Sequence, residues 1–198
     1  MSIDTFAGGR EGAWEITRIQ TITGAGLDMA PRLSVVNGVD IEASSTAAWL
    51  LRGAASHLRY STRSEVTRLA QVQPRLGRDE STMAVLIPMG KSSDWWELAQ
   101  DERQVIFGKS SRHAEIGMDY LPAVARKLYH CRDLGEPFDF LTWFEFAPEN
   151  EAAFDRLLAR LRSTPEWRYV DREVEVRLTR HTPSIQQHMD GVGKGDLA

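Results

Sequence analysis

Residues 124–149 read VARKLYHCRDLGEPFDFLTWFEFAPE, and this stretch decides the fold. Two runs rich in β-branched and aromatic residues, 124–132 and 138–146, flank the polar segment RDLGEP at 132–137. That pattern predicts two strands joined as a hairpin. Pro148 then opens a helix, because its fixed φ suits a first turn. Phe154, Leu157, Leu158 and Leu161 recur at helical spacing and form one apolar face. Residues 168–180 (RYVDREVEVRLTR) alternate strongly and predict a last strand.

Working outward, TMAVLIPM at 82–89 is a continuous apolar run of strand length, and Lys91 follows it. Residues 94–107 predict a helix in which Asp94 caps and Glu97 closes a capping box. A second helical piece spans 111–120 and should stop at Pro122. The order strand, helix, strand, strand, helix, strand is that of a ferredoxin-like α+β unit. The first half supplies strands at 14–22 and 47–60 and a helix at 63–71, while 23–44 gives no clear signal. It reads as a shortened relative of the same unit. Two such units side by side make an α+β barrel. The expected division is a shortened N-terminal half over 1–90, a C-terminal half over 91–180, and a disordered polar tail over 181–198.

The composition is that of an ordinary globular chain: 198 residues, 42% hydrophobic and 26% charged. The net charge of −4 comes with no basic block, which argues against nucleic acid as a partner. A single cysteine, Cys131, excludes an intrachain disulfide. No basic segment followed by an apolar run opens the sequence. Nor does any stretch approach the roughly 20 apolar residues of a membrane helix. A cytoplasmic, membrane-free protein is therefore expected.

No two of the five histidines have zinc-site spacing, and no nucleophile elbow occurs. GVGKG in the tail lacks the preceding strand and following helix of a phosphate loop. His113, on a helix, is either an ordinary histidine or an axial ligand of haem iron. Glu166, in STPEW, either favours the start of a helical turn or orients such a ligand through its second nitrogen. Trp95 and Trp96 are neighbours on a helix and point about 100° apart, so one can pack in the core while the other meets a cofactor or a second subunit. Arg126 shares a strand face with Leu128 and His130; Thr142 and Phe144 share one on the partner strand. Arg126, Leu128, Thr142 and Phe144 would line an apolar pocket with one permanent cation, unless Arg126 is simply solvated.

Three segments together carry a resemblance: KSSDWWELAQDERQVIF from Lys91, the stretch from His113 to Arg126, and CRDLGEPFDFLTWFEFAPE from Cys131. They resemble the chlorite dismutase family across residues 46–180 and more loosely before that. The likeness is strongest to its short-chain, dimeric lineage. The resemblance implies a homodimer of ferredoxin-like α+β barrels holding haem b (iron protoporphyrin IX). It implies His113 as the proximal iron ligand, Glu166 as its hydrogen-bond partner and Arg126 as the distal arginine. Tyr60 and Lys91 match positions that hold haem propionates, and Trp95 and Trp96 match tryptophans at the cofactor's edge. The implied reaction converts chlorite to chloride and dioxygen, with transient hypochlorite held near the iron. The implied ligands are chlorite and other small anions. A coproheme decarboxylase and a non-catalytic haem carrier or sensor are the alternatives; Arg126 favours chlorite chemistry over both.

Overall fold

The computed structural model describes residues 2–38, 46–55, 67 and 71–180. The expected tail at 181–198, the helix read at 63–71 (Thr67 and Gln71 apart) and Tyr60 lie outside these described residues.

Eight antiparallel strands close into a barrel. They are β1 (Ile3–Gly9), β2 (Trp14–Thr23), β3 (Arg32–Asn37), β4 (Trp49–Ala55), β5 (Met83–Lys91), β6 (Val124–His130), β7 (Phe140–Phe146) and β8 (Val170–Thr179). Their order around the barrel is β1-β3-β2-β8-β5-β7-β6-β4, with β4 returning to β1. Within β1–β4 the neighbours run β4-β1-β3-β2; within β5–β8 they run β8-β5-β7-β6. Both groups therefore share one order: fourth strand, first, third, second. The groups divide between β4 and β5. Gly90 and Lys91, on either side of the expected division, are the last two residues of β5, which is buried from Ala84 onward.

Two strands carry no clear sequence signal. β1 is IDTFAGG, with Asp4 through Gly8 buried, so period-two alternation is absent. Its Gly8 is required by packing. A Cβ there would stand 2.1 Å from the ring of Trp49 on the neighbouring strand β4. β3 lies in the segment of small residues that resists assignment.

The barrel interior is filled by Phe6, Trp14, Leu33, Leu51, Leu86, Tyr129, Trp143, Val176 and Leu178. A second core lies outside the sheet. There α4 (Glu151–Arg162) buries Phe154, Leu157, Leu158 and Leu161, the face its spacing predicts. They pack with Val85, Ile87, Val124, Phe144 and Phe146 of β5, β6 and β7. Burying such side chains contributes roughly 1.5–3 kcal/mol each, enough to fix the helix in place. The alternating charges of β8 are not solvated. Glu173 and Glu175 are buried, and Arg162 from the last turn of α4 reaches both, at 2.6 and 2.8 Å.

The helix predicted over 94–107 is broken. α1 (Ser93–Glu97) ends where Leu98 and Ala99 become extended, and α2 (Gln100–Gln104) starts afresh. Glu97 closes no capping box; Glu102 accepts from the Ala99 backbone N–H at 2.7 Å instead. A π-helical turn, Val105–Ser110, then leads through Arg112, at φ +50°, into α3 (His113–Met118). Among the described residues, no helix is long and apolar enough to cross a membrane.

Candidate active site

A cavity of about 400 Å³ lies between the outer face of β5, β7 and β6 and the helical layer. His113, Glu166, Lys91, Trp95, Arg126, Leu128, Thr142 and Phe144 all line it. Residues distant in sequence, read separately as site candidates, thus meet in one place. Trp96 does not line it.

His113 begins α3, and two aromatic rings lie nearly parallel to its own. Phe107 lies 4.6 Å away at 22°, and Trp167 lies 6.5 Å away at 14°. Its Nδ1 is 2.9 Å from Glu166 Oε2. Glu166 is buried and receives the Lys91 ammonium on its other oxygen, at 2.8 Å. Its backbone N–H donates to the buried Ser111 hydroxyl at 3.0 Å. Burial pushes the Glu166 carboxyl up, but His113 and Lys91 outweigh it and hold it down at about 2. An ionised carboxylate only accepts hydrogen bonds, so a neutral His113 imidazole carries its proton on Nδ1 and a lone pair on Nε2. Among the described residues no hydrogen bond reaches Nε2. Glu166 is thus more than a helix-start residue: both of its oxygens are engaged.

Lys91, expected at a propionate, donates to Glu166. Its side chain is 2% exposed and its ammonium lies over the rings of Trp95 (4.7 Å) and Trp167 (5.7 Å). The two tryptophans of α1 part as their angular separation requires. Trp95 is buried at the cavity, and its indole N–H has no partner among the described residues. Trp96 stands outside, stacked on Phe140 at 6.1 Å. Its N–H donates to Asp139 at 3.2 Å, and the Arg132 guanidinium covers its ring at 4.1 Å. It supports the wall formed by Phe140 rather than facing the cavity.

On the opposing wall, β6 and β7 pair Arg126 with Phe144 and Leu128 with Thr142. All four of these residues line the cavity, as do Lys91 and Lys127. Among the described residues no carboxylate pairs with the Arg126 guanidinium. Burial pushes its pKa down, yet arginine starts high enough to remain charged. The Gln73 side chain donates to the Arg126 carbonyl at 2.9 Å, tying the segment before β5 to this strand.

The sequence reading missed several lining residues: Gln73, Phe107, Trp167, and Leu157, Leu158 and Leu161 of α4. The leucines carry a clear helical stripe, but a stripe does not tell a core from a cavity wall. Gln73 has no signal of its own. Chemically, among the described residues, the site offers an imidazole nitrogen to a metal and an unpaired guanidinium to an anion.

A family model described as chlorite dismutase matches residues 33–182. The chain belongs to the chlorite dismutase family. The curated chlorite dismutase of Ideonella dechloratans is 34% identical over 91 residues, which is 46% of this chain and 30% of that one. The match thus spans under a third of that relative. A dimeric chlorite dismutase from Nitrobacter winogradskyi is 50% identical, with a TM-score of 0.84 over 89% of this chain and 99% of that one. A variant chlorite dismutase from Candidatus Nitrospira defluvii, solved in complex with cyanide, is 20% identical. It has a TM-score of 0.68 over 91% of each chain, so the fold persists at low identity.

Proposed function

We propose that the chain is a haem b-dependent chlorite dismutase, converting chlorite to chloride and dioxygen as a homodimer. The observation that carries this reading is Arg126: a permanent cation with no carboxylate partner among the described residues, in an apolar cavity that also offers a free histidine nitrogen. Family membership and the dimeric Nitrobacter relative support it.

The lining residues fit a haem. His113 Nε2 is available as axial ligand. The orphaned N–H of Trp95 is a buried donor in need of an acceptor, and a propionate would supply one. Tyr60 stays a candidate for the other propionate. Lys91, also a propionate candidate, helps to keep Glu166 ionised through their ion pair. Glu166 in turn fixes the His113 tautomer and strengthens its donation.

Haem, when bound, would supply the redox chemistry that breaks down chlorite. The protein's task is then positional. The reaction ClO2⁻ → Cl⁻ + O2 consumes no net proton, so no acid–base residue is required. Arg126 draws the anion into the pocket and holds hypochlorite there through charge-assisted hydrogen bonds. Leu128, Thr142 and Phe144 limit water around it, which strengthens those bonds. We read the barrel as two fused ferredoxin-like units dividing between β4 and β5, the first shortened. The repeated strand order supports this reading.

The test is an oxygen-electrode assay of the haem-loaded protein. Dioxygen and chloride should appear in equal amounts from chlorite. Haem-loaded protein that consumes no chlorite would overturn the proposal.

A further inference from the structure

Gly117 is the one lining residue of the cavity that has no reason to be glycine in the chain's own structure. It lies inside α3, where glycine is unfavourable relative to alanine. Its φ is not among the positive ones, so the backbone does not call for it. No heavy atom of the described residues lies within 4 Å of where its Cβ would stand, so neighbouring side chains do not call for it either. Gly8, Gly12 and Gly53 differ: a Cβ at those positions would meet protein atoms at 2.1, 2.2 and 2.5 Å.

Its place explains the choice. Gly117 is four residues after His113, on the same helical face, and it lines the same cavity. Helical side chains lean toward the N-terminus, so a side chain at 117 would lie over the turn that carries His113. The space kept clear therefore belongs to the cavity that His113 also lines.

We infer that Gly117 shapes the cofactor site: its bare Cα lets a flat macrocycle lie close against α3 when His113 binds the metal. This rests on the haem reading above and adds a residue to it. A planar tetrapyrrole ligated by a short helix must pass over the next turn of that helix. Any substituent at 117 either tilts the macrocycle or lengthens the bond to His113. Gly117 thus exchanges helix stability for cofactor fit.

Effects of opposite sign follow. The chain without cofactor should gain stability from Gly117→Ala, while haem affinity should fall. Gly108 provides a control. It lies in the preceding π-helical turn, also with nothing within 4 Å of a Cβ, but does not line the cavity.

The experiment titrates haem b into parent, Gly117→Ala, Gly117→Leu and Gly108→Ala proteins, following Soret absorbance, and records urea midpoints before loading. Both alanine variants should have raised midpoints. Only Gly117→Ala should bind haem more weakly, by about tenfold, and its ferric spectrum should shift relative to the parent. Gly117→Leu should not load stoichiometrically. Equal affinity and identical spectra in parent and Gly117→Ala would overturn the inference. So would equal weakening in Gly108→Ala, which would point to helix stability rather than cavity shape. A parent that binds no haem would instead remove the functional reading beneath it.

Discussion

Lys91 and Glu166 form an ion pair at 2.8 Å with side chains only 2% and 6% exposed. Breaking a buried pair from one side leaves a charge without compensation, at a cost of roughly 3–5 kcal/mol. Lys91→Met should therefore lower the unfolding free energy by about that amount, measured by urea denaturation at pH 7. A loss under about 1 kcal/mol would mean that His113 alone suffices to hold Glu166.

His113 supplies the free nitrogen at the cavity, while the surrounding strands are packed by other residues. His113→Ala should keep the parent's circular dichroism spectrum yet fail to retain haem through gel filtration. Full retention with an unchanged Soret band would show that the metal is bound elsewhere.

The hydrogen bond between His113 Nδ1 and Glu166, 2.9 Å long, would make the imidazole more electron-rich and so stabilise an oxidised metal bound to it. In Glu166→Gln the acceptor becomes neutral. The iron reduction potential should then rise, as read by spectroelectrochemistry. An unmoved potential would leave Glu166 with only a packing role.

Arg126 is expected to hold anions directly. A hydrogen bond to a charged group is worth roughly 1.5–3 kcal/mol, so Arg126→Ala should weaken cyanide binding to the ferric protein by about one to two orders of magnitude. The same variant should release less dioxygen per haem before inactivation, and a hypochlorite scavenger should change that yield more than it does in the parent. Equal yields with and without scavenger in both proteins would contradict retention by Arg126.

Acid should loosen α4 from β8. Burial pushes the Glu175 carboxyl up, but Arg177 and Arg162 more than offset this, so its folded pKa lies below the ordinary value. A lowered carboxylate pKa contributes stability that is complete above the unfolded value, about 4.3, and is lost as pH falls through the folded one. The deficit of Arg162→Met relative to the parent should therefore be largest at pH 7 and shrink toward pH 3. A deficit equal at both pH values would assign Arg162 to packing alone.

The C-terminal half was legible because its signals are local. The aromatic hairpin, the stripe of α4 and the alternation of β8 each follow from short-range periodicity, and β6 and β7 pair in the register that puts Arg126 beside Phe144. β1 was invisible because its glycine answers to Trp49, a residue forty-one positions away. Lys91 illustrates a different limit. A flexible four-carbon side chain beside a site reaches several partners, and the burial that selects Glu166 is a property of the folded surroundings. The break at Leu98–Ala99 has no proline or glycine to announce it.

Phe107 and Trp167 lie nearly parallel to the His113 imidazole while Glu166 holds its Nδ1, and Trp167 is itself pinned by a 2.8 Å bond from its indole N–H to Glu173. The ring's rotational freedom is therefore surrendered when the chain folds, not when a metal arrives. Fixing a side chain costs up to about 2 kcal/mol of entropy, and here that cost is separated from cofactor capture. The histidine behaves as a rigid socket. Exchanging one metal tetrapyrrole for another should alter the electronic state of the centre while leaving the angle of the imidazole, and hence the geometry of ligation, as the fold has already set it.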